Sequence, residues 1–294
     1  MFDSRQAADL ESQLATRGYG IVTLMAPDEA DDLLRRVKEL AQDNFTTTES
    51  GKGYDFHASF LDRDKVYRRR IHRELKALFD PLVAEVMPGY EVLVAGIFLK
   101  KRGAARLPLH FDWTMVRDLE TRSINLWCPL MDVSQENGTL HVVEGSQRFV
   151  EHIGAPDTPP WFCGISEALT EVAKPIALQA GQALIYDSTL LHLSSENRSG
   201  KDRYVVALNC LPKGIDPVFY RRADDQGTRF EVFDMSEERF FEHDPEQYFS
   251  GAMSAPSLGF VDNNNRTLGL EDVRPLLGKP ASSWKRLLRH FNPG

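Results

Sequence analysis

His110 and Asp112 stand two residues apart in the stretch LPLHFDWT at 107–114. On an extended segment, positions i and i+2 point to the same face. An imidazole and a carboxylate at that spacing can hold one metal ion from one side. Alone the pair is a weak signal, because a chain with 8 histidines produces such triplets by chance. A surface pair or a turn is the ordinary alternative.

A second stretch, TLLHLSSENRSGKDRYVVALN at 189–209, strengthens it. It reads as a strand carrying His192, a polar turn, and a second strand opening at Arg203. A hairpin there would fold Arg203 back toward His192. Ser194 lies two residues after His192 and shares its strand face. Two histidines and one carboxylate are the donor set of non-haem Fe(II) sites, which leave three coordination positions open. A chelating 2-oxo acid would fill two, leaving the third for O2. Arg203 would offer a permanently charged planar fork to the distal carboxylate of that acid, and Ser194 a hydroxyl. For an isolated strand arginine, a surface salt bridge is the plain reading.

The elements that must position these residues follow from hydrophobic spacing. Residues 3–17 read as a helix ended by Gly18, and Pro27 opens another that carries Leu33, Leu34, Val37 and Leu40 at helical intervals. A polar loop is expected at 46–53, then a third helix over 64–86. From Tyr90 the texture changes. YEVLVAGIFLKK, SINLWCPLM, TLHVV, KPIAL, QALIYD, TLLHLS and RYVVALNCL are short runs bounded mostly by turn chemistry such as Glu136-Asn137-Gly138 and Asn197-Arg198-Ser199-Gly200. Many short strands without alternating long helices argue for a sandwich or barrel. A short helix near 165–172, a late strand at 228–234 and a last helix at 281–291 complete the expectation.

Composition bounds the partners. The net charge of −8 disfavours nucleic acid and anionic membrane. No apolar run approaches the ~18 residues that span a bilayer. The opening MFDSRQAADLESQ has neither a basic nor an apolar signal region, and HFNPG at the end carries no sorting signal. Cys128, Cys163 and Cys210 are few, odd in number and widely spaced, which fits reduced thiols in the cytoplasm and excludes a disulfide framework. No HExxH, phosphate loop, dinucleotide fingerprint or GxSxG elbow occurs.

Four segments, taken in order, resemble the phytanoyl-CoA dioxygenase-like family of Fe(II)/2-oxoglutarate-dependent oxygenases, over roughly residues 15–212. They are GYGIVTL, FLKKRGAARLPLHFDWT, SINLWCPLMDVSQENGTLHVVEGSQR and LQAGQALIYDSTLLHLSSENRSGKDRYVVAL. The resemblance implies a mainly β chain with flanking α-helices, built as a double-stranded β-helix (a cupin-like jelly roll). It implies a single domain over 1–294, with a mostly helical part at 1–89, a jelly-roll core at 90–235 and a C-terminal extension at 236–294. It implies His110, Asp112 and His192 on iron, with Arg203 and Ser194 on 2-oxoglutarate. Trp127 falls where the family often has a cosubstrate-pocket residue, or is a plain core tryptophan. Asn125 shares its strand face and could donate to the cosubstrate. The implied reaction is hydroxylation of a small molecule of natural-product, amino-acid or carrier-tethered type, with release of succinate and CO2.

The sequence departs from the family at Leu193, where glycine is usual, at Glu144-Gly145-Ser146-Gln147, and at Phe111, where a polar residue is common. These positions could reshape the substrate pocket, so an acyl-CoA substrate is not implied. Asp112 is a carboxylate, which speaks against the halogenating relatives. Trp113 and Thr114 could line the substrate side or pack in the core. Arg68, Arg69, Arg70, His72 and Arg73 form a basic cluster on the third helix, read as a solvated face or as a contact for an anionic or carrier-bound substrate. His141 reads as structural. A metal-dependent cupin-like enzyme that is no oxygenase, and a catalytically silent binding module, remain alternatives on the same scaffold. Oligomeric state is left open.

Overall fold

A computed structural model of the protein describes residues 4–41, 56–149, 152–249 and 253–277. The expected loop at 46–53 and last helix at 281–291 lie outside these residues. In chain order the main elements are α1 (Ser4–Arg17), β1 (Tyr19–Thr23), α2 (Pro27–Ala41), β2 (Phe56–Ala58), α3 (Lys65–Val86), β3 (Tyr90–Lys100) and β4 (Leu107–His110). Then come β5 (Ile124–Pro129), β6 (Leu140–Val142), α4 (Ser166–Val172), β7 (Lys174–Pro175), β8 (Gln182–Asp187), β9 (His192–Ser194) and β10 (Arg203–Pro212). β11 (Val218–Arg222), β12 (Arg229–Asp234), α5 (Glu237–Glu242) and β13 (Ser257–Asp262) follow.

The helix ends carry the chemistry their sequences announce. Gly18 has φ +85°, a left-handed conformation that costs glycine little, and its N–H closes α1 onto the Leu14 carbonyl at 3.1 Å. Asp64 caps α3: its Oδ1 accepts from the Val66 and Tyr67 amides at 2.9 and 3.0 Å.

Strands β1-β8-β5-β10-β3-β2 form a major antiparallel sheet, and β4-β9-β6-β7 a minor one. A third sheet, β11-β12-β13, follows them in the chain. The mainly β expectation with flanking helices, a double-stranded β-helix, therefore holds. Strand parity explains how the layers stack. In β5 every residue is buried. Ile124, Leu126 and Cys128 pack with α1, α2 and α3 through Leu14, Val37, Leu75 and Phe79. Trp127, on the other face, packs with Leu140, Val142, Ile176 and Leu178 across the barrel. A strand covered on both sides reads as a continuous apolar run, and polar residues within it then stand out as site residues.

The structure corrects one expectation. The stretch from His192 to Arg203 is no hairpin. β9 pairs with β4 and β6 in the minor sheet, whereas β10 pairs with β3 and β5 in the major sheet. The polar turn carries the chain from one sheet to the other, and the strand of His192 is linked to Arg203 through Ser194 and Lys100 and not by strand pairing. The basic cluster on α3 also departs from a solvated face. Arg68 and His72 are each only 1 % exposed. Arg68 donates to the carbonyls of Phe241 and His243 at 3.1 and 2.6 Å. His72 accepts the Ala95 amide at Nδ1 and faces Glu237 through Nε2 at 3.0 Å. Arg70 pairs with Glu74. Two of the five cluster residues thus tie α3 to β3 and to the C-terminal layer.

Candidate metal centre and cosubstrate pocket

His110 ends β4, and His192 opens β9 as its direct cross-strand partner. Their ring centroids lie 4.2 Å apart. Asp112 follows just beyond the strand, held by its own amide donating to the Ser188 carbonyl at 2.9 Å. One ligand atom from each of the three lies within 4.8 Å of the others. Nε2 of His192 and Oδ2 of Asp112 are 3.8 Å apart, too long for a hydrogen bond and suited to a shared cation.

The second nitrogen of each ring is already committed. Nδ1 of His110 lies 2.8 Å from the Pro108 carbonyl, and Nδ1 of His192 lies 2.9 Å from the Leu190 carbonyl. A carbonyl only accepts, so both Nδ1 atoms carry the proton and both Nε2 lone pairs face the site. Burial, reinforced by His192, drives the His110 pKa down to about 3, which keeps that ring neutral. Burial pushes Asp112 upward, against the opposing pull of His192, Tyr186 and Asn125.

Two side chains hold the carboxylate. Asn125 donates through Nδ2 to Asp112 Oδ2 at 2.5 Å. The Tyr186 hydroxyl, on the strand paired with Asn125, donates to the same carboxylate. Asn209 then donates to Asn125 Oδ1 at 3.0 Å. It sits where the β10–β3 register shifts, between Asn209 and Cys210. Asn125 thus holds the Asp112 carboxylate; the sequence suggested a contact to the cosubstrate for it. Tyr186 and Asn209 were not legible in the sequence, since each sits in an apolar strand with nothing local to mark its partner.

Two residues beyond His192, Ser194 meets one of a pair of cations. Arg203, 4 % exposed, has its Cζ 5.1 Å from the centre of the Trp127 ring and donates Nη1 to the Gly138 carbonyl. Its Nε is buried without a partner. Lys100, 2 % exposed, is the cross-strand partner of Arg203 and donates Nζ to Ser194 Oγ at 2.9 Å. Neither makes an ion pair among the described residues. Burial, with Arg203 adding to it, lowers Lys100 to about 7, and burial lowers Arg203 to about 9. Glu196 pulls Lys100 the other way without an ion pair, and two buried cations so weakly compensated are costly unless a ligand supplies a counter-charge. Arg203, Ser194 and Trp127 are therefore brought together, and the structure adds Lys100. The missed signal was a lysine at the inward parity of a long apolar strand, FLKK, which reads as a solvated strand end.

The donor set fits a hexacoordinate metal with open positions, and the weakly compensated cations fit a dicarboxylate. Trp113 packs edge-on with Phe219 at 5.5 Å and lies near Tyr248 and Phe249. Thr114 is structural: its amide donates to the Gly154 carbonyl, and its hydroxyl accepts the Gly154 amide. Phe111 presses on Gly154, where a Cβ would come within 2.6 Å of its ring. His141 lies half-buried on β6 with its Nε2 unpartnered.

Comparison with known proteins agrees with this geometry. "Dioxygenase olcK" of Penicillium canescens is 24% identical over 168 residues, covering 55% of this chain and 51% of that protein. The chain thus spans about half the length of that curated relative. The epimerase SnoN, solved with Fe3+, alpha ketoglutarate and nogalamycin RO, superposes with a TM-score of 0.55 at 17% identity, covering 73% of this chain and 87% of that one. The alpha ketoglutarate dependent carbocyclase SnoK from nogalamycin biosynthesis gives 0.55 at 14% identity, covering 72% and 85%. HygX from Streptomyces hygroscopicus, with nickel, 2-oxoglutarate and hygromycin B bound, gives 0.50 at 15% identity, covering 70% and 87%. These likenesses establish the fold. Residues 16–205 match the phytanoyl-CoA dioxygenase (PhyH) family, and the chain belongs to it.

Proposed function

We propose that the protein is an Fe(II)- and 2-oxoglutarate-dependent oxygenase that hydroxylates a small-molecule substrate. The observation that carries this reading is the pairing of two half-sites in one barrel. One is a His–Asp–His set whose two Nδ1 atoms are taken up by carbonyls; the other is a pair of buried cations with no ion-pair partner among the described residues. A metal-dependent isomerase on a cupin scaffold would need the first and not the second. A silent binding module would need neither set complete.

Iron, when held by His110, Asp112 and His192, supplies O2 activation coupled to oxidative decarboxylation of the 2-oxo acid. The chain's own residues do the rest. Pro108 and Leu190 carbonyls fix the imidazole tautomers. Asn125 and Tyr186 hold the carboxylate in one orientation. Arg203, Lys100 and Ser194 would bind the distal carboxylate, and Trp127 would wall it on one side. Ala207 and Asn209 alternate with buried neighbours on β10 and are themselves half-exposed, which leaves room on the inner face for a substrate. Trp113 with Phe219 would form an apolar flank suited to a natural-product-type carbon skeleton.

This reading treats the chain as a single oxygenase domain. Cys128, Cys163 and Cys210 are all free, two of them buried, and fit a reducing compartment, so we place the enzyme in the cytoplasm. Among the described residues no helix is long and apolar enough to cross a membrane.

The test is conversion of 2-oxoglutarate to succinate without added substrate. It should require both Fe(II) and O2, and His110→Ala should abolish it. Folded, iron-loaded protein that forms no succinate, or a His110→Ala variant as active as the wild type, would overturn the proposal.

A further inference from the structure

Among the described residues, several cations of this acidic chain pair with carboxylates. Arg17 and Lys174 share Glu144; Arg122 lies between Glu11 and Asp187; Arg239 reaches Asp234 and Glu242. One place differs. Lys38 on α2, Lys101 and Arg102 after β3, and Lys201 before β10 converge on a cleft of about 620 Å³. Among the described residues none of the four makes a salt bridge. The Lys38 ammonium only lies 5.5 Å from the centre of the Tyr204 ring. The cleft's single acidic residue, Asp202, already accepts the Arg102 amide at 2.9 Å. Met131 and Tyr204 complete an apolar wall.

The cleft is separate from the barrel. Lys101 and Asp202 are chain neighbours of Lys100 and Arg203, but strand alternation sends Tyr204 to the opposite face from Arg203. Tyr204 packs on the helix-side core, whereas Arg203 faces Trp127. Four like charges drawn together in a protein of net charge −8 repel one another unless an anion joins them. Three of the four are lysines, compact point charges with freely rotating donors. These suit the many-directional oxygens of phosphate better than the planar carboxylate that an arginine fork would grip. The cleft volume falls within the range for small-molecule sites.

We propose that this cleft binds a small phosphate-bearing anion with at least two negative charges, its organic part lying against Tyr204 and Met131. The site is independent of the iron and 2-oxoglutarate reading.

Inorganic pyrophosphate is the probe, titrated calorimetrically into the full-length protein at low ionic strength. The wild type should bind it saturably at one site. Lys101→Glu with Lys201→Glu should weaken binding at least ~10-fold, while Arg203→Met, which alters only the barrel, should leave it unchanged. As a second measurement on wild-type protein, pyrophosphate should protect Lys101 and Lys201 from chemical acetylation, read by mass spectrometry. The proposal is overturned by any of four results: no saturable binding, equal binding in the double variant, binding lost in Arg203→Met, or acetylation unaffected by pyrophosphate.

Discussion

The two halves of the candidate site solve opposite problems. In the proposed iron half the polar groups satisfy one another: each histidine Nδ1 meets a carbonyl, and Asp112 accepts from Asn125 and Tyr186. In the proposed cosubstrate half the polar groups are left wanting. Lys100 and Arg203 are both buried, adjacent and like-charged, and Arg203 Nε has no partner. The first half is preorganised, so that a metal meets ligands already aimed. The second is held under electrostatic tension that a dicarboxylate would relieve. A protein that only needed to fold would not keep the second arrangement, since an apolar pair of similar volume is often as stable or more so.

Substitutions should separate the halves. The largest effect belongs to the ligands: His192→Ala should weaken Co(II) or Fe(II) binding more than ~100-fold, exceeding the usual loss for an outer partner. Next is Arg203→Met. It should cut 2-oxoglutarate affinity by roughly 30-fold or more, the lower end for losing one member of a buried charge contact. The same variant should keep or raise the thermal midpoint of cosubstrate-free protein, because it removes an uncompensated buried charge. A lower midpoint would mean that Arg203 is structural, and the contrast between the halves would fail.

In the proposed iron half, Asn125→Ala should lower metal affinity by about 10-fold, within the range for outer partners. Unlike Arg203→Met it should also lower the thermal midpoint, since Asn209 and Asp112 lose a shared partner. Metal titration and thermal unfolding of the two variants side by side check the distinction.

The smallest effect is pH-dependent. Lys100 titrates at about 7 in the cosubstrate-free protein, lowered from 10.5 by burial and by Arg203. A bound carboxylate would raise it again, so binding takes up a proton at pH values above about 7. Affinity for 2-oxoglutarate should therefore fall as pH rises, by roughly 10-fold between about pH 6.5 and 8.5. Lys100→Met should bind more weakly and lose most of that slope. In the cosubstrate-free protein the sign reverses. The cost of burying charged Lys100 is fully present below about pH 7 and is relieved as pH climbs toward 10.5.

Much of the candidate site was readable in the chain because its signals are local or nearly so. His110 and Asp112 are two apart, and His192, Ser194 and Arg203 fall within one short stretch. The strands that carry them have clear apolar runs. The convergence of His192 with Arg203 was expected for the wrong reason, because a polar turn between two strands looks the same whether it closes a hairpin or crosses between sheets. Lys100 escaped notice because its meaning depends on a register of ten paired residues that sets it opposite Arg203. Tyr186 and Asn209 are likewise defined by strand neighbours distant in sequence. β1, β4, β11 and β13 are short, and only their partners make them strands.

The central claim is that one barrel chelates iron and 2-oxoglutarate together. Anaerobic addition of 2-oxoglutarate to the Fe(II)-loaded protein tests it most directly. A weak visible charge-transfer band should appear, saturate with 2-oxoglutarate, need a higher concentration in Arg203→Met, and be absent in His192→Ala. Well-folded, iron-loaded protein that shows no such band at saturating 2-oxoglutarate would contradict the account.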